Sequence, residues 1–142
     1  MSSRKIRGIV RNIFVKDDNE VSILIEIDEK TTTELRGVYD AKIENPLKDG
    51  EGDLEGKVLY KAHTKYPVNL YMQGDPVKTE DETENIEEIR KIGNGSAVTI
   101  RVREQLDGRY KSKKFQSAYL KAINVRELVE AEPYMDFDED DN

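Results

Sequence analysis

Val21, Ile23, Ile25 and Ile27 alternate with Ser22, Glu26 and Asp28, the period-two pattern of a strand with one face buried, and Leu24 is the one apolar position on its outer side. Residues 5–16 are rich in β-branched side chains and predict a preceding strand that mixes both faces. Gly8 inside it points to a bulge or strong bend, as barrels need at their corners. Asp17-Asp18-Asn19 supplies the turn between the two. Residues 57–65 predict a third strand, and 68–72 a short extended piece that Gly74-Asp75-Pro76 stops. The period then changes. Ile86, Ile89 and Ile92 recur every third position, with acids early and Arg90-Lys91 late. This predicts a short helix over 83–92 whose charges complement its dipole, ended by Gly93-Asn94-Gly95. Over 97–104, Val98, Ile100 and Val102 alternate with Thr99, Arg101 and Arg103, a strand with a basic outer face. Asp107-Gly108 predicts a hairpin turn and 111–129 the return strand. In 31–53, Leu35, Val38, Tyr39 and Ile43 suit a strand or a helical turn equally, so this stretch is left irregular and the structure of 30–56 open.

Three strands, a helix, then two strands suit a mainly β fold. The expected architecture is a five-stranded Greek-key OB-fold barrel with the short helix between strands 3 and 4, and an open α+β sheet is the runner-up. One domain over 1–129 is expected, followed by a disordered acidic C-terminal tail over 130–142.

The charge supports that division. The chain of 142 residues is 36% hydrophobic and 37% charged, and its 30 acidic against 23 basic side chains give a formal charge of -7. Residues 127–142 hold eight acids and no base, and 79–89 six more acids without a base, whereas 90–126 hold ten bases against two acids. Blocks of like charge at a terminus usually lack the apolar area to offset ordering entropy. No run approaches the ~20 apolar residues of a membrane span, and Met1-Ser2-Ser3-Arg4-Lys5 leads straight into strand pattern. A cytoplasmic protein is expected. With no cysteine, no tryptophan and one histidine, thiolate sites are excluded and histidine-based catalysis is poorly supplied. No cofactor, no metal and no enzymatic step are expected. The acids cluster away from apolar strand ends, where a two-metal nuclease would need them.

Cations interleaved with aromatics carry the functional signal. One segment holds Lys57, Tyr60, Lys61, Lys65, Tyr66 and Tyr71. The other holds Arg101, Arg103, Arg109, Tyr110, Lys111, Lys113, Lys114, Phe115, Tyr119 and Lys121. Single-stranded nucleic acid asks for this mixture, because cations follow phosphates and ring faces stack bases without reading them. Each ring taken singly is equally at home in a core or on a sheet, so the cluster outweighs its members. In the last strand Phe115, Ser117, Tyr119 and Lys121 form one outward set, placed to share a face with Arg101 and Arg103. His63 alternates with Lys61 and Lys65 and reads as a surface residue. In the tail, Tyr134, Met135 and Phe137 sit among acids, where a pure solubiliser has no use for them.

Gly-Asn-Gly-Ser-Ala-Val-Thr-Ile-Arg-Val over 93–102, the charged hairpin, Ser-Ala-Tyr-Leu-Lys-Ala-Ile-Asn-Val-Arg-Glu-Leu over 117–128 and the terminal acids resemble bacteriophage single-stranded DNA-binding proteins of the OB-fold, replisome type. The similarity spans 92–141, with a weaker echo at 60–71. It implies sequence-independent coating of single-stranded DNA during phage replication and recombination, in the host cell cytoplasm. It also implies recruitment of replication or recombination proteins by the tail, here Asp136, Phe137, Asp138, Glu139, Asp140 and Asp141. Relatives commonly end on an aromatic, and Phe137 is its set-back counterpart. A homodimer is left open. So are an RNA-binding OB module and an acidic protein-interaction or DNA-mimic protein, the last of which would hold Arg101, Arg103 and Lys121 in intramolecular ion pairs.

Overall fold

The computed structural model describes residues 2–16, 20–78 and 82–131. Along the chain run β1 (Ser2–Val15), β2 (Val21–Ile27), α1 (Glu29–Arg36), β3 (Leu47–Asp49), a 3-10 turn (Gly52–Leu54), β4 (Val58–Thr64), β5 (Asn69–Met72), β6 (Asp75–Pro76), α2 (Glu82–Arg90), β7 (Ala97–Tyr110) and β8 (Lys113–Glu127). Neighbours in the sheet follow the order β3-β4-β2-β1-β7-β8-β5-β6, and a parallel pairing of His63 with Tyr119 joins β4 back to β8. β1, β2, β4, β7 and β8 thus close into a five-stranded barrel, with α2 between its third and fourth strands as the sequence pattern predicts.

Alternation builds the interior. Ile23 and Ile25 of β2 face inward with Tyr60 and Ala62 of β4, Val98, Ile100 and Val102 of β7, and Leu120 and Ile123 of β8, all essentially without solvent contact. Leu35 of α1 and Ile89 of α2 anchor the two helices to this core.

Three local expectations are corrected. Asp107-Gly108 is not the hairpin turn: β7 continues to Tyr110, and the two-residue turn is Lys111-Ser112, both with positive φ (50° and 66°). Gly108 lies instead at a register shift, where a Cβ would stand 2.5 Å from the Phe115 ring. The bulge in β1 falls at Arg11, and Gly8 is needed for close approach, a Cβ there meeting the Glu26 carbonyl oxygen at 2.6 Å. The stretch left irregular contains most of α1 and all of β3. The Asp28 carboxylate caps α1 by accepting from the Thr31 N–H at 2.7 Å, which holds its pKa below the usual value. Thr32 and Thr33, poor helix formers, donate their hydroxyls back to the carbonyls of Asp28 and Glu29 at 2.8 and 3.0 Å.

One end of the barrel is polar inside. Glu104, 1% exposed, accepts from Arg4 Nε at 2.9 Å and from the Tyr39 hydroxyl. Tyr39 spends its only proton on Glu104, so the Tyr60 hydroxyl, 2.7 Å away, donates to Tyr39. Burial pushes both phenols above the ordinary value of 10.0. A raised folded-state pKa contributes stability that is full below pH 10.0 and is lost as pH rises beyond it, because only the unfolded chain then releases the proton. Thermal melts are therefore expected to show stability falling from about pH 10 upward, and Tyr39→Phe should reduce that slope. An unchanged slope would dissociate Tyr39 from the alkaline transition.

Candidate nucleic-acid interface

Each inward residue of these strands is flanked by outward ones, and the register aligns the outward residues in rows around the barrel. In the first row His63 lies beside Tyr119, Tyr119 opposite Arg103, and Arg103 opposite Ser3. The same row continues from His63 to Ser22 and on to Phe14, a ring 53% exposed. In the second, a bulge in β8 sets Lys121 and Ala122 across from Arg101, which is opposite Lys5. In the third, Tyr71 is beside Asn124, Asn124 opposite Thr99, and Thr99 opposite Arg7.

Rings and cations approach one another on this face. The His63 and Tyr119 rings meet edge to face with centroids 5.4 Å apart. Burial holds the His63 pKa below the ordinary histidine value, with Glu20 opposing and Lys61 and Lys65 adding to the shift, so the imidazole is neutral at pH 7. Tyr66, 73% exposed just past β4, has Lys121 Nζ 5.9 Å from its ring centroid, at the edge of cation–π range. Lys61, Lys65, Arg101 and Arg103 are exposed.

The hairpin carries a second group. Beyond Glu104, the last β7 residue paired with β1, the β7–β8 arm presents Arg109, Tyr110, Lys111, Lys113 and Lys114, all exposed, with Lys111 Nζ 5.3 Å from the Tyr110 centroid. Phe115 at its base is half buried against Gly108.

The ion pairs of the described residues lie elsewhere: Arg4–Glu104, Arg11–Glu26, Lys16–Glu20, Lys57–Glu26 and Lys91–Glu88. Among the described residues none engages Lys5, Lys61, Lys65, Arg101, Arg103, Lys121 or the hairpin cations. A sheet face of unneutralised cations with rings between them can follow a phosphate chain and stack its bases.

No family model matches the chain, and no curated protein sequence does. Among solved structures it is similar to the single-stranded DNA-binding protein from bacteriophage Enc34, with a TM-score of 0.67 at 15% identity over 99% of this chain and 90% of that one. The Enc34 protein in complex with single-stranded DNA gives 0.65 at 15% identity over 94% and 89%. The single-stranded DNA-binding protein encoded by bacteriophage T7 gives 0.60 at 12% identity over 91% and 93%. The fold is that of the phage single-stranded DNA-binding proteins.

Of the expected site residues, Tyr71, Arg101, Arg103, Tyr119 and Lys121 join the rows, Lys61, Lys65 and Tyr66 are exposed outside them, and Arg109, Tyr110, Lys111, Lys113, Lys114 and Phe115 form the hairpin group, which leaves Tyr60 and Lys57. Tyr60 has no exposed surface and lies in the core beside Tyr39, so its ring offers no face to a base. Lys57 immediately precedes β4, 4.0 Å from Glu26. Conversely, Lys5, Arg7, His63 and Phe14 share the outer face with the predicted residues. Their types were plain in the sequence, but the pairing of β1 with β7 that brings Lys5 to Arg101 was not. Asp136, Phe137, Asp138, Glu139, Asp140 and Asp141 lie outside the described residues.

Proposed function

We propose that this protein binds single-stranded DNA without regard to sequence along the outer face of β4, β8, β7 and β1, coating it during phage replication and recombination in the host cytoplasm. The observation that carries this reading is the row of Arg103, Tyr119 and His63 beside Arg101, Lys121 and Lys5, cations without ion-pair partners among the described residues. A DNA-mimic or acidic interaction protein would have neutralised Arg101, Arg103 and Lys121 internally. The solved complex of the Enc34 protein with single-stranded DNA supports the same assignment for this fold. The acidic C-terminal segment, with Asp136 to Asp141 around Phe137, recruits replication proteins and competes with DNA for the basic face.

Fluorescence titration with a single-stranded oligonucleotide of about 16 residues tests the reading. Affinity is expected to fall steeply with salt and a duplex to compete poorly. Absence of binding at low salt, or equal competition by duplex, overturns it. Stronger competition by RNA of the same sequence would favour an RNA-binding module.

The segment has its own test. Val129 and Ala131 are tied to Gly93 and Lys91 by backbone hydrogen bonds of 2.7 and 2.9 Å, and Glu130 bridges Ile92. The truncation is therefore placed after Ala131, inside the expected tail of 130–142. It should tighten DNA binding about tenfold at low salt, and less as salt screens the tail. Unchanged affinity would remove the competition mechanism.

A further inference from the structure

We propose that a pocket between β4 and β8 takes one nucleobase from the bound strand and prefers bases that carry a carbonyl on the exposed edge, thymine or guanine over adenine. This rests on the DNA-binding reading and adds a base-selective element to it.

The pocket arises from topology. β4 and β8 touch at His63 and Tyr119 and diverge toward their N-termini, and the segment before β3 fills the gap between them. The Gln116 N–H donates to the Glu44 carbonyl at 2.8 Å, and the Lys61 N–H to the Pro46 carbonyl at 2.9 Å. What remains is a cavity of about 190 Å³ lined by Glu44, Lys48, Lys61, His63, Phe115 and Ser117, among others. Lys61 and His63 point outward from β4, and Phe115 and Ser117 outward from β8, so the pocket opens on the face that carries Tyr119 and Arg103. A volume of about 190 Å³ has room for one planar heterocycle.

The lining chemistry selects the occupant. Phe115 and His63 offer ring surface for a splayed-out base. Phe115 is held in place by Gly108, which leaves no room for a Cβ beneath the ring. The ammonium groups of Lys48 and Lys61 and the Ser117 hydroxyl supply hydrogen-bond donors. The Asn45 side-chain oxygen accepts from the Leu47 N–H at 2.8 Å, and the Gln116 side-chain oxygen from the Asp40 N–H at 2.7 Å. Against these donors stand the exposed Glu44 carboxylate and one nitrogen of the neutral His63, so two ammonium groups and a hydroxyl face fewer acceptors, and that excess of donors favours a carbonyl-bearing base over adenine, whose exposed edge carries an amino group.

Titrations with oligo(dT) and oligo(dA) of equal length, on the full chain and on Ser117→Phe, decide the matter. The wild type should favour oligo(dT) by about fivefold or more. Part of any such ratio reflects the weaker stacking of oligo(dT) itself, so the informative quantity is the change. Filling the pocket should bring the ratio down at least threefold while leaving the salt dependence intact. Phe115→Leu, which removes the ring at similar bulk, should do the same if Ser117→Phe fails to fold. A ratio unchanged in a folded variant that still binds with the wild-type salt dependence overturns the pocket and leaves the DNA-binding reading standing. Loss of salt-dependent binding in the wild type itself overturns both.

Discussion

Alanine at both Arg101 and Arg103 is expected to lower affinity for a single-stranded oligonucleotide about a hundredfold at low salt, and to reduce the slope of log K against log salt by about 1.4. Both side chains stand on the outer face of β7, exposed and outside the ion pairs of the described residues. Their charge is therefore available to phosphate without breaking an internal contact first. Arg103 faces Tyr119 and Arg101 faces Lys5 and the bulge at Lys121, so the two are central to the rows rather than at their rim. Exposed substitutions of this kind change folding stability by no more than about 0.5 kcal/mol, so the melting temperature should hold. Lys57→Ala is the matched control: it removes one cation of similar exposure, but one already near Glu26 and away from the rows. It should leave the slope close to wild type. If the double variant keeps the wild-type slope, Arg101 and Arg103 do not meet phosphate and the interface lies on another face.

The barrel was legible because period-two alternation is a direct consequence of strand geometry. Val98, Ile100 and Val102 announced an inward face of β7, and their alternates Arg101 and Arg103 a basic outer one. The same parity, carried one step further, sends Glu104 inward. Nothing local identifies its partners, since Arg4 and Tyr39 lie 100 and 65 residues away along the chain. Tyr60 was open to the same reading: with Lys61, His63 and Lys65 outward, Tyr60 must point in. Composition had placed it with the binding residues although alternation excluded it. The helix α1 was hidden by its threonines, whose low propensity is offset by an aspartate cap and by burial of Leu35. Asp107-Gly108 misled because a glycine after aspartate serves two different needs. Here the missing Cβ admits a ring rather than a left-handed turn. The role of Lys5 was beyond reach for a different reason: which strands are neighbours depends on closure of the barrel, and that is a property of the whole chain.

Glu104→Ala is expected to destabilise the fold by about 3 kcal/mol, the low end of what breaking a buried charged pair costs, and to lower the melting temperature by on the order of 10 °C. The low end applies because Arg4 keeps 32% of its side chain exposed and regains water when its partner is lost. The tyrosines have no such recourse. Without the carboxylate, the buried Tyr39 hydroxyl loses its acceptor and the Tyr60 hydroxyl a neighbour whose orientation was set by it. Glu104→Gln keeps an acceptor and removes the charge, and should cost about half as much. Combining Glu104→Met with Tyr39→Phe removes donor and acceptor together, and should recover part of the loss. The cluster also bears on binding. Arg4 and Glu104 point inward beside Lys5 and Arg103, which point outward, so the inner contact between β1 and β7 fixes the spacing of two cations on the outer face. Well below its melting temperature, Glu104→Ala should therefore bind single-stranded DNA several-fold more weakly, with the number of phosphate contacts, and hence the salt slope, unchanged. Wild-type stability in Glu104→Ala would show that the cluster contributes nothing net to folding. Lowered stability with wild-type affinity would confine its role to the core.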